Sequence, residues 1–383
     1  MKTYKPTPWL LAAIILFTLI LGGCGTSDPT PTQPPPPTET PTAPPTEISV
    51  PTDTPIPTPT EIRTPPALPG MYQSAYLDAG VTPHLYINDA CQYLKMKWDP
   101  NNSEPGTVVM VIMFHSIIDG GVTVEDDIGK RDFRKMIDTL KENGYEAINT
   151  EQLASFLEDN AKIPPRSVLL LTDDRHFSQY FNNHFRPYWE DWGWPVVNAW
   201  ISHPETTSAL WQEQEVLNAE GWVDYQAHGV IHTYNINYMS DEANVLNELQ
   251  GSIIAMQEHF NKTPIAFIWP GGNFTPRSVQ LARETGYRLG FSVNPRGPIM
   301  FNWVPLADAH NPNYPTVLAE GPAGDPLMVL PRYWPFHVIE NLDKIRVMSR
   351  EAADFAEANK AVELEFYDIV CAPTYGPIPP LAP

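Results

Sequence analysis

After Gly106 the chain alternates two kinds of apolar pattern. Residues 108–115 are an unbroken apolar, β-branched run, as expected of a strand covered on both faces. Residues 131–143 instead space Phe133, Met136, Ile137 and Leu140 at helical intervals and stop at Gly144. The alternation continues with a short strand near Ala147 and Ile148, then Thr150 as N-cap of a helix over 151–158. A buried strand over 167–171, a strand over 196–201 and a helix over 211–220 follow, the last ended by Gly221. Residues 222–227 lead as a strand into His228. Ser240 is placed to cap a long helix through Phe260, with Val245, Leu246, Leu249, Ile253, Ile254 and Met256 as its apolar side. A strand over 265–269 ends in Pro270-Gly271-Gly272, and Thr275-Pro276 opens a helix stopped by Gly286. Strands over 289–293 and 328–330 finish the series, and residues 338–360 carry a last helical pattern.

Seven or so β–α units, with polar residues recurring at strand C-termini, predict an α/β fold of (β/α) barrel type. Such barrels carry their chemistry on that face. On pattern alone, a doubly wound open sheet is the alternative.

Three short stretches stand at those strand ends. Leu171-Thr172-Asp173-Asp174 closes the 167–171 strand. His228-Gly-Val-Ile-His232 offers two imidazoles four residues apart, close enough to reach one ion. Trp269-Pro270-Gly271-Gly272 is the third. One carboxylate with two histidines is a common facial metal set that leaves positions for water and substrate. A second carboxylate beside it can serve as general base. An Asp-Asp pair alone is more often a solvated turn, and a His pair at this spacing also occurs on surfaces by chance. Their combination on successive strands points to metal-assisted hydrolysis.

In that order the stretches resemble the polysaccharide deacetylase family, the NodB-homology carbohydrate esterases, over about Val108 to Tyr333. Met113-Phe114-His115 and Leu330-Pro331-Arg332 look like features of its branch acting on exopolysaccharide poly-N-acetylglucosamine. The resemblance implies a distorted, incomplete (β/α) barrel. It also implies Asp173 as catalytic base, with Asp174, His228 and His232 binding a divalent metal, zinc being the expected one. Two departures stand out. Thr172 occupies an aromatic position and Arg175 replaces a glycine, which puts a long cation where it could lower the basicity of Asp173 or fill part of the groove. The arginine that many members carry before the third stretch is absent, as in the exopolysaccharide branch. The family's final His motif is not evident, so His115, His310 and His337 are all candidates for the general acid. Arg332 could pair with a strand-end carboxylate, Asp173 among them, or with the surface. His176 and His184 read as core or solvent-facing residues.

The N-terminus has a basic start, an apolar run from Trp9 to Leu21, and Gly22-Gly23-Cys24. This reads as a secretory signal over 1–23, the apolar run being short for a membrane span. Leu-Gly-Gly-Cys resembles the bacterial lipoprotein box, which implies lipidation of Cys24; an uncleaved anchor is the other reading. Residues 24–70 are dominated by Pro and Thr and cannot build a core. As polyproline II, at about 3.1 Å per residue, they would form a stalk on the order of 100 Å long. An extension over 71–105, a catalytic domain over 106–340 and a C-terminal helix and tail over 341–383 complete the organisation.

The formal net charge of −21, with no Lys/Arg run, argues against nucleic acid and against anionic lipid. The expected partners are a polysaccharide substrate and the membrane, the latter through the N-terminal lipid only, with the protein outside the cytoplasm. Besides Cys24 there are only Cys91 and Cys371, flanking the catalytic region; in an oxidising compartment they are expected to pair, the alternative being two buried thiols. Aromatic residues crowd positions 180–222, most of them expected in the core and one or two in a sugar-binding groove. The expected activity is N-deacetylation of an N-acetylglucosamine-type polymer. The alternatives are a catalytically impaired glycan-binding lipoprotein of the same fold and an O-acetyl xylan-type esterase.

Overall fold

The structure, a computed structural model, describes residues 63–382 apart from 123, 125, 233–235 and 311–317. The 1–23 signal, Cys24 and most of the 24–70 stalk lie outside the described residues. The remainder is organised around six strands: β1 (Val108–Phe114), β2 (Arg166–Thr172), β3 (Val196–Trp200), β4 (Val223–Ala227), β5 (Ala266–Ile268) and β6 (Leu289–Phe291). They pair in parallel in the order β6-β5-β4-β3-β2-β1, with Glu146–Ala147 sharing an edge of β2. All seven residues of β1 are buried, which explains its unbroken apolar run: a strand with helices on one face and a barrel interior on the other has no wet side.

The sheet curls until one short segment touches both of its edge strands. Leu330 bridges Phe291 of β6 and Tyr333 bridges Ile112 of β1, both in parallel sense. Leu330 N–H donates to the Gly290 carbonyl at 2.8 Å, and Tyr333 N–H donates to the Val111 carbonyl at 2.7 Å. This is the distorted, incomplete barrel. The strand expected at 328–330 is instead a 3-10 turn over Pro326–Met328 followed by isolated bridges. Pro331 has no N–H to give a ladder, so contact stays at single residues. The close approach needs Gly290, since a Cβ there would stand 2.2 Å from the Met328 carbonyl oxygen.

Two helix starts differ from expectation. The 150–159 helix is capped by Asn149, whose side chain accepts from Gln152 N–H while Gln152 accepts from Asn149 N–H; Thr150 lies buried in the first turn. The long helix Glu242–Phe260 is capped by Asp241 rather than Ser240. Among the described residues no helix is long and apolar enough to cross a membrane.

The chain ends fasten to each other. Ala90–Trp98 is a helix joined to the C-terminal region through a Cys91–Cys371 disulfide. Pro335–Phe366 is one long helix, on which buried Glu363 accepts from Lys97 Nζ and Trp98 Nε1, each at 2.7 Å. The disulfide links positions 280 residues apart, so it removes much freedom from the unfolded chain. Replacing both cysteines by serine should lower the unfolding free energy by about 3 kcal/mol, measured in denaturant, with the far-ultraviolet spectrum unchanged.

Candidate active site

The C-terminal ends of β1, β2 and β4 bring the chemistry-bearing residues together. Asp173 N–H donates to the Phe114 carbonyl at 2.8 Å and His228 N–H to the Trp200 carbonyl at 3.0 Å, so each strand end is fixed by its neighbour. Thr172 is buried, and its hydroxyl donates to the Val197 carbonyl at 3.2 Å. A polar side chain thus replaces an aromatic one without leaving its hydroxyl unpaired.

Asp173 has a side chain 3% exposed. Its Oδ1 accepts from Arg332 Nη1 at 2.6 Å, and its Oδ2 lies 3.6 Å from His115 Nε2 and 4.0 Å from His228 Nε2. Burial opposes ionisation, but Arg332 and the two imidazoles outweigh it, and the carboxyl is lowered to about 2. Arg332 is itself fully buried, its Nε donating to the Ser292 carbonyl at 2.5 Å.

Asp174 is more open, its side chain 40% exposed, and it takes a left-handed backbone with φ 73°. Its Oδ1 is 3.9 Å from His228 Nε2 and 3.7 Å from His232 Nε2. One donor atom from each of Asp174, His228 and His232 falls within 4.8 Å of the others. His228 Nδ1 is 2.8 Å from the Ile268 carbonyl, which selects the Nδ1–H tautomer and leaves the Nε2 lone pair facing Asp174 and His232. Burial lowers the pKa of both imidazoles, His228 to about 4, so they are neutral at pH 7. Two neutral nitrogens and an exposed carboxylate fit one divalent cation.

The loop between the histidines is held by a residue that sequence reasoning missed. Glu248, buried on the long helix, accepts from three consecutive backbone N–H groups, Val230 at 2.7 Å, Ile231 at 3.1 Å and His232 at 3.2 Å. Gly229 has φ 83°, and a Cβ there would stand 2.4 Å from Glu248 Oε2. The signal was present: Val245, Glu248, Leu249 and Ser252 share the buried helix side at spacings of three and four.

Arg175 is not beside Asp173 in an electrostatic sense. Its Nη1 donates to Thr206 Oγ1 at 3.0 Å, and the cation acting on Asp173 is Arg332. His115 stacks on Trp334 with centroids 5.5 Å apart and rings 14° from parallel. His176 stacks on half-buried Tyr180 at 3.9 Å, while His337 packs against Phe336. His310 lies in an exposed loop. Of the crowded aromatics, Trp194, Trp200 and Trp222 are core, as expected for most.

A polysaccharide deacetylase family profile matches residues 161–290, the segment holding Asp173, Asp174, His228, His232 and Glu248. The match supports the polysaccharide deacetylase family. The chain is 21% identical over 189 residues to the Bacillus subtilis (strain 168) protein named "Putative polysaccharide deacetylase YxkH", covering 48% of this chain and 64% of that relative's length. Among solved structures it is similar to the Streptococcus pyogenes deacetylase PplD in complex with acetate, at 18% identity, 62% of this chain, 98% of that chain and a TM-score of 0.47. It is also similar to IcaB from Ammonifex degensii, at 16% identity, 65% of this chain, 98% of that chain and a TM-score of 0.46. His115 and Arg332, the two groups that flank Asp173, both lie outside the segment matched by the family profile.

Removing one partner of a buried ion pair leaves the other charge unpaired. Arg332→Met should therefore cost about 3 kcal/mol or more at pH 7 in thermal or denaturant unfolding. Because the folded Asp173 carboxyl lies below its ordinary 3.8, its ionisation adds stability that is present above about pH 4 and lost as pH falls toward 2. That acid-linked slope should shrink in the variant. Glu248→Ala strands three backbone donors and should cost about 2 kcal/mol in the same measurement; a cost near zero would show that water replaces the carboxylate.

Proposed function

We propose that the chain is a metal-dependent polysaccharide N-deacetylase acting on an N-acetylglucosamine-type polymer. The observation that carries this reading is the juxtaposition of two unlike carboxylates. Asp173 is buried and held ionised by Arg332, while its neighbour Asp174 is exposed and shares a donor set with His228 and His232. Asp174, His228 and His232 would hold the cation, with zinc suited to this nitrogen-and-oxygen set. When bound, it supplies Lewis acidity toward water and toward the acetamide carbonyl.

The chain's own groups divide the proton chemistry. Asp173 Oδ2, its Oδ1 tied to Arg332, is the base that takes a proton from the attacking water. His115 Nε2, 3.6 Å from that oxygen, is the acid that gives a proton to the departing nitrogen. An amine leaves poorly without that proton, so an imidazole beside the base favours the amide substrate over an O-acetyl ester. The impaired-site alternative drew on Arg175, Thr172 and the missing final His motif; Arg175 is engaged by Thr206, the Thr172 hydroxyl donates to the Val197 carbonyl, and His115 is proposed here in place of the missing histidine. The reading is completed by lipidation at Cys24 and an extracytoplasmic position, for which the N-terminal sequence is the support.

Metal content and acetate release from N-acetylglucosamine oligomers, measured on one purified sample, test the reading. Asp174→Ala should lose the metal and the activity together. Asp173→Asn should keep the metal and lose turnover by at least a hundredfold. An Asp173→Asn protein with full activity would remove the proposed base, and acetate released only from O-acetylated xylan would replace the amide reading with the ester one.

A further inference from the structure

A row of parallel rings leads outward from Asp173. His115 stacks on Trp334, and Trp334 stacks in turn on Phe336 with centroids 6.2 Å apart and rings 18° from parallel. Trp334 is half-buried, whereas Phe336 is 52% exposed at the start of the helix Pro335–Phe366. Phe336 and, one helical turn on, exposed Ile339 line an open cleft of about 710 Å³, together with the buried Ile128 and Met136 and the exposed Val124. Asp127, Asp132 and Lys135 stand around the apolar surface.

The position of this cleft follows from the fold. Helix Lys130–Glu142 is the connection after β1, and Pro335–Phe366 begins directly after the segment that closes the sheet. Both helices therefore start on the rim where the strands end, the rim that holds Asp173. An exposed, water-facing phenyl ring beside a strip of aliphatic side chains, bordered by charges of both signs, has the chemistry of a pyranose site. The C–H face of the sugar packs on the ring while its hydroxyls reach the polar border.

We propose that this cleft is an outer subsite of the site described above, taking a sugar residue of the polymer next to the one being deacetylated, with Phe336 as its stacking platform. The inference rests on the deacetylase reading and adds to it that the enzyme engages an extended chain rather than a single sugar. Trp334 links the two positions, its indole stacking with both the His115 imidazole and the Phe336 ring.

The test is affinity for N-acetylglucosamine oligomers from dimer to hexamer, read by calorimetry on the intact chain, beside acetate release. Affinity of the natural protein should rise with oligomer length. Phe336→Ala should weaken the hexamer about five- to tenfold while flattening the length dependence, and Phe336→Trp should restore it. Phe336 is exposed, so neither change threatens folding. Acetate release with a hexamer affinity unchanged in Phe336→Ala would overturn the subsite and leave the deacetylase reading standing. An equal loss for dimer and hexamer would also overturn it, because the ring would then serve the reacting sugar. Neither binding nor acetate release from any oligomer would remove both proposals.

Discussion

Asp173 and Arg332 stand 159 residues apart in the chain and 2.6 Å apart in space, and neither could be buried alone. A carboxylate removed from water is pushed toward its neutral form, and a guanidinium cannot discharge at all. Together, with the Ser292 carbonyl and two imidazoles completing the surroundings, they make a buried anion that remains ionised in its dry position. The same segment that delivers Arg332 bridges β6 to β1. Closing the sheet and charging Asp173 are thus one structural event, and a barrel that failed to close would also lose the ionised carboxylate.

Around that pair the rim is shaped by backbone that leaves ordinary geometry. Asp174 and His232 both have positive φ, conformations that L-residues with these side chains adopt at some cost. The left-handed turn at Asp174 lets adjacent carboxylates point to different environments, one into the protein and one toward solvent. At His232 the turn is secured by Glu248, whose carboxylate gathers the loop's N–H groups into a small anion-binding concavity. The requirement extends back to Gly229, where only a glycine fits against that carboxylate. A His-x-x-x-His pair thus becomes a preorganised donor set through a helix that contributes no donor of its own.

The extensions serve the rim at a distance. The disulfide and the buried Lys97–Glu363 pair fasten the N-terminal helix to the C-terminal region, whose long helix starts with Trp334 as its N-cap, stacked on His115, and Phe336 in its first turn. Anchoring a long helix at its far end restrains its near end too, because a hydrogen-bonded rod transmits tilt along its length.

The local pattern of the sequence settled the order of the six sheet strands, the α/β class, the strand-end placement of Asp173, Asp174, His228 and His232, and the aromatic core, but not the turn that replaces the strand expected at 328–330 or the pairing of Val81–His84 with Val304–Ala307. What it settled depends on periodicity and on short motifs, which neighbouring residues impose. Helix caps at Asn149 and Asp241 were misplaced by one residue, since adjacent polar side chains compete for the same N–H groups and only the final backbone decides between them. Tertiary structure alone decided which cation meets Asp173. Arg175 is two positions away in sequence yet bonds to Thr206, whereas Arg332 arrives from the closing segment. Glu248 was hidden for a related reason: a charged residue on an apolar helix face reads as an exception until the loop it binds is folded against it. Ion pairing and carboxylate capping act over a few ångströms between residues far apart in the chain, a proximity that local pattern does not encode.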